Sequence, residues 1–174
     1  MNTHYESEPS SFLVENISLL PRGRALDIAI GNGRNTIYLA EMGFNAEGVD
    51  VSKQAVKTAL ERAKSAGVNI NAYVADIEAG NYIIEKNAYD VIICFNYLHR
   101  PLMPRIKDGL KKGGMVVYQT YTIDRLQFGK PSNPDFLLKY NELLAVFSDF
   151  RCLRYYEGIT DSRKAVAGII AQKI

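Results

Sequence analysis

Two aspartates frame a glycine turn near the start of the chain, in RALDIAIGNGRNTIYLAEMGFNAEGVDVS, residues 24–52. Asp27 stands in one apolar run four residues before Gly31, Asn32 and Gly33 complete the turn, and Asp50 closes the next apolar run. Glycines let the backbone approach a ligand closely and take positive φ. A helix starting beside them offers unpaired N–H groups. A carboxylate at the place of Asp50 can accept two ribose hydroxyls, in charge-assisted bonds of about 1.5–3 kcal/mol each before desolvation. Two cofactor classes fit this outline, a nicotinamide dinucleotide and S-adenosylmethionine. Asp27 separates them. A doubly negative pyrophosphate would be repelled by a carboxylate at short range, whereas S-adenosylmethionine brings an ammonium and a sulfonium. The third glycine of a dinucleotide turn is also missing, because Thr36 holds that place. The plainer roles open to these residues are a strand-end cap for Asp27, a helix cap before Ser52 for Asp50, and turn chemistry in ADIEAG for Asp76.

A second group of reactive residues follows the apolar run YDVIICF, in NYLHRP: Tyr97, His99 and Arg100. His99 could act as a base or an anion contact, or simply start a helix. Arg100 reads as a surface or anion-binding residue. Tyr118, Thr120 and Tyr121 could line the same pocket, with a core position the commoner fate for Tyr118. Methyl transfer from a sulfonium chiefly needs an aligned acceptor and excluded water, and a base only where the acceptor is protonated. The lack of a catalytic triad therefore does not count against it.

These residues need strands to end at one edge of a sheet. The spacing predicts a helix over FLVENISLL with Ser10 or Ser11 as its cap, a strand at ALDIAI, and a helix at NTIYLAEMG closed by Gly43. Next come a strand at NAEGVDV, a Ser52-capped helix ending at Gly67, and strands at NINAYVADI and YDVIICFNY. PLMPRIKDGLKKGG reads as a short helix ending in glycines, MVVYQTY as a buried strand, and PDFLLKYNELLAVF as a helix capped by Asn133. DFRCLRYYEG and RKAVAGIIAQKI form a terminal hairpin joined at ITDS. Alternating strands and helices predict an α/β fold, a doubly wound Rossmann-like seven-stranded sheet, mostly parallel, with one antiparallel strand from the hairpin. One domain is expected over 1–174: a helical segment at 1–21, a cofactor-binding core at 22–121, a C-terminal helix and hairpin at 134–174, and a loop at 122–133. That loop, with Arg125, Phe128 and Lys130, is expected to be a lid over the acceptor.

The ordered set LDIAIGNGRN, GVDVS, VADI, YDVIICFNYLH and GLKKGGMVVYQT, spanning about residues 24–121, resembles the successive motifs of class I S-adenosylmethionine-dependent methyltransferases. Within that class it looks most like the small tellurite-resistance-type enzymes. The resemblance implies S-adenosylmethionine as cofactor and S-adenosylhomocysteine as product. It implies that Asp27 faces the methionine ammonium, with Ala29, Gly31, Gly33 and Asn35 around the methionine end. Asp50 would hold the ribose, with Val51 against the adenine. Asp76 would accept the adenine amino group, with Ile77 packed on the ring, and Phe95 and Asn96 would approach the sulfonium. His99 and Tyr97 are the catalytic candidates. Ala29 departs from the family pattern, standing where a first glycine is usual. NYLHRP is not the Asn/Asp-Pro-Pro-aromatic signature of amino-methylating enzymes, so a small-molecule acceptor is expected, such as a thiol or chalcogen oxyanion. A non-catalytic S-adenosylmethionine-binding protein and a nicotinamide-dependent oxidoreductase stay open as alternatives.

Composition fits this reading. The 174 residues suffice for a proper core, and hydrophobic residues make up 47%. A net charge of +2, from 21 basic and 19 acidic residues, gives no basic footprint for nucleic acid. No apolar run suits a membrane span, and the polar start MNTHYESEPS carries no export signal, so a cytoplasmic monomer or homodimer is expected. Cys94 and Cys152 are expected to be buried, reduced thiols. His4 and His99 have no ligand-spaced partners, so no metal is expected.

Overall fold

The computed structural model describes residues 7–174, and His4 lies outside that range. Seven strands form one sheet: β1 (Arg24–Ile28), β2 (Asn45–Asp50), β3 (Asn71–Val74), β4 (Tyr89–Phe95), β5 (Leu110–Tyr121), β6 (Arg151–Ile159) and β7 (Ala165–Gln172). Their order is β3-β2-β1-β4-β5-β7-β6. β1 to β5 run parallel, and β7 is antiparallel to both its neighbours, β5 and β6. The expected sheet, with its single reversed strand, is the one observed. Strand order reverses between β1 and β4, which opens a crevice beyond their carboxyl ends.

The helices are α1 (Ser11–Asn16), α2 (Arg34–Glu41), α3 (Lys53–Ser65), α4 (Met103–Gly109) and α5 (Glu142–Val146). Successive strand residues point to opposite faces, and both faces of the central strands are apolar. Leu26, Ile28, Ile92 and Cys94 pack with Leu102, Ile106 and Phe147. Ala25, Val91 and Ile93 pack with Leu13 and Leu39 on the other side. The apolar runs of β1 and β4, interrupted in β1 by the buried Asp27, follow from being covered twice. α3 starts as expected, with the Ser52 hydroxyl accepting the Ala55 N–H at 3.2 Å, and buries Val56, Ala59 and Ala63. Among the described residues no helix is long and apolar enough to cross a membrane.

Three expectations change. The helix predicted over 134–147 is a three-residue 3-10 turn (Pro134–Phe136) and the short α5. Asn133 does cap the turn, accepting the Asp135 N–H at 3.0 Å. The Leu138 N–H, however, bonds the Tyr121 carbonyl at 2.9 Å, and its carbonyl accepts from Ile123 at 2.9 Å. That pulls the backbone out of helix and onto the end of β5, and Asn141 turns with φ 59°. The helix after NYLHRP stops at Gly109, and Lys-Lys-Gly-Gly already runs in β5, where Lys111 Nζ binds the Asp90 carboxylate at 2.8 Å. Cys94 is buried as expected, but Cys152 lies exposed on the edge strand β6.

Candidate active site

The glycine turn leaves β1 through Ala29, at φ 59°, Gly31 at 55° and Gly33 at 82°. Ala29 thus occupies a left-handed conformation that costs an L-residue roughly 1–2 kcal/mol. That cost explains why glycine is usual at this place. Ala29→Gly is expected to raise stability by about 0.5–1 kcal/mol in urea unfolding, the relief being partly offset by the freer unfolded chain. An unchanged or lower midpoint would show that the strain is taken up elsewhere. Gly33 caps α2 and faces α3 rather than the ligand: a Cβ there would sit 2.7 Å from Ala59 Cβ. Arg62 of α3 also grips the turn, donating to the Asn32 carbonyl at 3.1 Å and to Ser7 at 2.8 Å.

Asp50 stands at the end of β2 and fixes the turn from the other side. Its Oδ2 accepts the Gly31 N–H at 2.9 Å, and its Oδ1 accepts the Ser52 N–H at 2.9 Å. Each carboxylate oxygen keeps a second acceptor site for a hydroxyl. Asp27 is 3% exposed and takes a single hydrogen bond among the described residues, from Thr36 Oγ1 at 2.7 Å. Burial pushes its carboxyl up to about 7, against the Thr36 hydroxyl and nearby Arg34, which favour the charged form. Thr36, counted from sequence only against a dinucleotide, is the residue that orients this acid.

Two cavities open at the carboxyl ends of β1, β2 and β4. One, of about 510 Å³, is lined by Asp27, Gly31, Arg34, Asn35, Phe95 and Asn96, and also by Tyr121 and Lys164. The other, of about 400 Å³, is lined by Asp50, Val51, Asp76, Ile77 and Glu78. Ala29 and Tyr97 belong to both. Every residue expected around the cofactor therefore lines one of these cavities except Gly33. Val51 is exposed and Ile77 buried, so the second cavity has one open and one closed apolar side. Asp76 is also the turn former its plainer reading described, since its Oδ1 accepts from Glu78 and Ala79 at 2.9 and 3.0 Å. Asn35 points its Oδ1 to the Ser10 N–H, at 2.8 Å, tying the segment before α1 across the turn.

The residues beyond β4 divide in role. The Tyr97 hydroxyl donates to Glu78 Oε1 at 2.7 Å. His99 lines neither cavity, and its Nδ1 lies 3.6 Å from Glu78 Oε2. Arg100 spends its guanidinium on Glu142, at 2.6 and 2.9 Å, and on the carbonyls of Asp135 and Leu137. It is a clamp on the segment leading to α5, not an anion contact. Tyr118 is buried and Tyr121 reaches the cavity. In the 122–133 segment, Arg125 binds the carbonyls of Lys130 and Arg163, and none of Arg125, Phe128 and Lys130 lines either cavity. Glu78, Arg62 and Lys164 carried no signal in the sequence, because each acts through a contact distant along the chain. Among the described residues no group of acids, histidines and cysteines could hold a metal ion.

A long guest with a polyhydroxylated, flat apolar half and a cationic amino-acid half matches this pair of cavities. Asp50 suits the hydroxyls, Val51 and Ile77 suit the flat ring, and the buried Asp27 needs a positive partner. S-adenosylmethionine has that form.

Comparison with known proteins agrees. The methyltransferase domain family matches residues 25–114. The "Probable S-adenosyl-L-methionine-dependent methyltransferase TehB" of Haemophilus influenzae is 26% identical over 160 residues, which are 87% of this chain and 54% of that protein. The chain thus spans about half the length of this curated relative. The crystal structure of TehB from Haemophilus influenzae superposes with a TM-score of 0.78 at 23% identity, covering 95% of this chain and 62% of that one. An S-adenosylmethionine-dependent methyltransferase from Aquifex aeolicus gives a TM-score of 0.72 at 21% identity, over 100% and 94% of the two chains.

Proposed function

This chain belongs to the methyltransferase domain family, in its class I, S-adenosylmethionine-dependent branch, and we propose that it methylates a small anionic acceptor such as a thiolate or a chalcogen oxyanion. The observation that carries the reading is the pair of cavities that share Ala29 and Tyr97, one lined by the buried carboxylate Asp27 and the other by Asp50 at the end of β2. When bound, S-adenosylmethionine supplies an electrophilic methyl group on a sulfonium. The chain's own work is to hold and to exclude. Asp27 and Asp50 fix the two ends, Val51 and Ile77 hold the ring, and Phe95 and Asn96 close the wall beside the methionine half. Arg34 and Lys164 stand in the lining of the same cavity. Orientation of this kind can lower the barrier by several kcal/mol, of the ~7–11 kcal/mol available to ideal alignment.

Titration with S-adenosylmethionine and with NADH tests the cofactor. Transfer of labelled methyl to thiols, selenite, tellurite and small phenols tests the acceptor. Binding of NADH alone would defeat the reading, and methylation of phenols only would defeat the anionic acceptor. An acceptor already ionised needs no base, and His99 stands outside both cavities. His99→Ala is accordingly expected to keep cofactor affinity and to hold turnover within about threefold. A drop of about a hundredfold, the size typical of general base catalysis, would restore it as a base.

A further inference from the structure

Ala29 and Tyr97 are the two residues that both cavities share. A cofactor with its adenosine at Asp50 and its amino-acid tail at Asp27 would run past these two shared residues at its middle, where its sulfur lies. Tyr97 is held there at both ends. Its carbonyl accepts the Tyr118 hydroxyl at 2.8 Å, and its own hydroxyl donates to Glu78 Oε1 at 2.7 Å. Glu78 is fixed in turn by the loop that Asp76 organises, its N–H donating to Asp76 Oδ1 at 2.9 Å. Burial and the Glu78 carboxylate both push the Tyr97 hydroxyl up, so it stays a neutral donor. A phenol donating to a carboxylate is polarised, which enriches its ring in electron density, and an aromatic face attracts a cation.

We infer that Tyr97, polarised and held by Glu78, reads the positive charge on the cofactor's sulfur, favouring S-adenosylmethionine over the neutral thioether product. The inference rests on the cofactor reading above and adds to it. Product release would follow from the chemistry itself, since the charge that Tyr97 attracts disappears once the methyl group leaves. Glu78 is then a positioning residue, joining the adenosine loop to the acceptor side.

Calorimetric titration of S-adenosylmethionine and S-adenosylhomocysteine, on the wild type and on variants, tests this without any methyl acceptor. Tyr97→Leu is expected to lower the ratio of the two affinities about fivefold, by weakening S-adenosylmethionine more. Tyr97→Phe keeps the ring and loses the bond to Glu78, while Glu78→Gln keeps the ring and an acceptor but removes the charge that polarises the phenol, so each should lower the ratio about twofold. These two carry the test if Tyr97→Leu does not fold. Equal losses for both ligands would mean that Tyr97 is only a wall, and an unmoved ratio would likewise overturn the inference. Failure of both ligands to bind the wild type would instead overturn the cofactor reading, and the inference with it.

Discussion

Asp50→Ala is expected to lower affinity for S-adenosylhomocysteine about a hundredfold, from the loss of two charge-assisted bonds of about 1.5 kcal/mol each at the lower end of their range. The ligand cannot recover those bonds from elsewhere in the site. Asp76 is the next carboxylate along the same cavity, and one of its oxygens is already committed to the 78–79 turn. A further effect comes from the turn itself, because Asp50 accepts the Gly31 N–H and holds that turn in shape. Asp50→Asn separates the two contributions. Its amide oxygen can still accept from Gly31, while it serves the hydroxyls poorly. Calorimetry checks both variants, with circular dichroism to confirm the fold. Affinity within about threefold of wild type in Asp50→Ala would remove the ribose assignment.

The second large effect is on pH. Asp27 has an ordinary value of 3.8 and is pushed up to about 7 by burial in the ligand-free protein. A cationic amino group beside it would favour the charged form, so binding must expel a proton wherever Asp27 is still protonated. Between about pH 5 and 7, affinity for S-adenosylhomocysteine should climb with pH, approaching about tenfold per unit, with close to one proton released per ligand near pH 6. Titration in two buffers of different ionisation heat measures that proton directly. A pH-independent affinity with no proton release would sink the assignment of Asp27 to the ammonium.

The same shift acts on stability. From pH 3.8 to about 7 the folded protein keeps a proton that the unfolded chain has lost. Stability contributed by this group therefore falls as pH rises through that window, by roughly 4 kcal/mol in all. Asp27→Asn should remove the fall. The ligand-free variant would melt above the wild type at pH 8, while losing both affinity for the ligand and its pH dependence. A site that binds by keeping a destabilising charge in place is a familiar exchange of stability for function.

Much of this site was readable from residue order because its chemistry is local. Strand, turn and helix follow one another at Asp27, Gly31 and Arg34, and the Asp50–Ser52 corner repeats the pattern one strand later. Such corners are set by short-range backbone geometry, which periodicity and glycine placement report. What stayed hidden depends on distant partners. Arg100 reads from sequence as a surface or anion-binding residue, whereas Glu142, 42 residues on, takes its guanidinium. The 134–147 stretch has a helical pattern, yet Leu138 gains more from hydrogen bonds at the end of β5 than from its own turn. Cys152 sits in an apolar run, but β6 is an edge strand, and an edge leaves part of such a run in water. Glu78 looked like one more turn residue, because nothing within ADIEAG reveals that Tyr97 stands opposite.

The position of β7 between β5 and β6 sets the order in which this protein can be completed. During synthesis β6 leaves the ribosome first and finds no partner, because its only neighbour in the sheet has not yet been made. Until β7 threads in, the nascent chain carries two bare strand edges, on β5 and on β6, and strand edges are where unfinished proteins stick to one another. Lys164, beside the turn that brings β7 in, reaches the cavity wall only as that turn forms, so this wall closes as the sheet does.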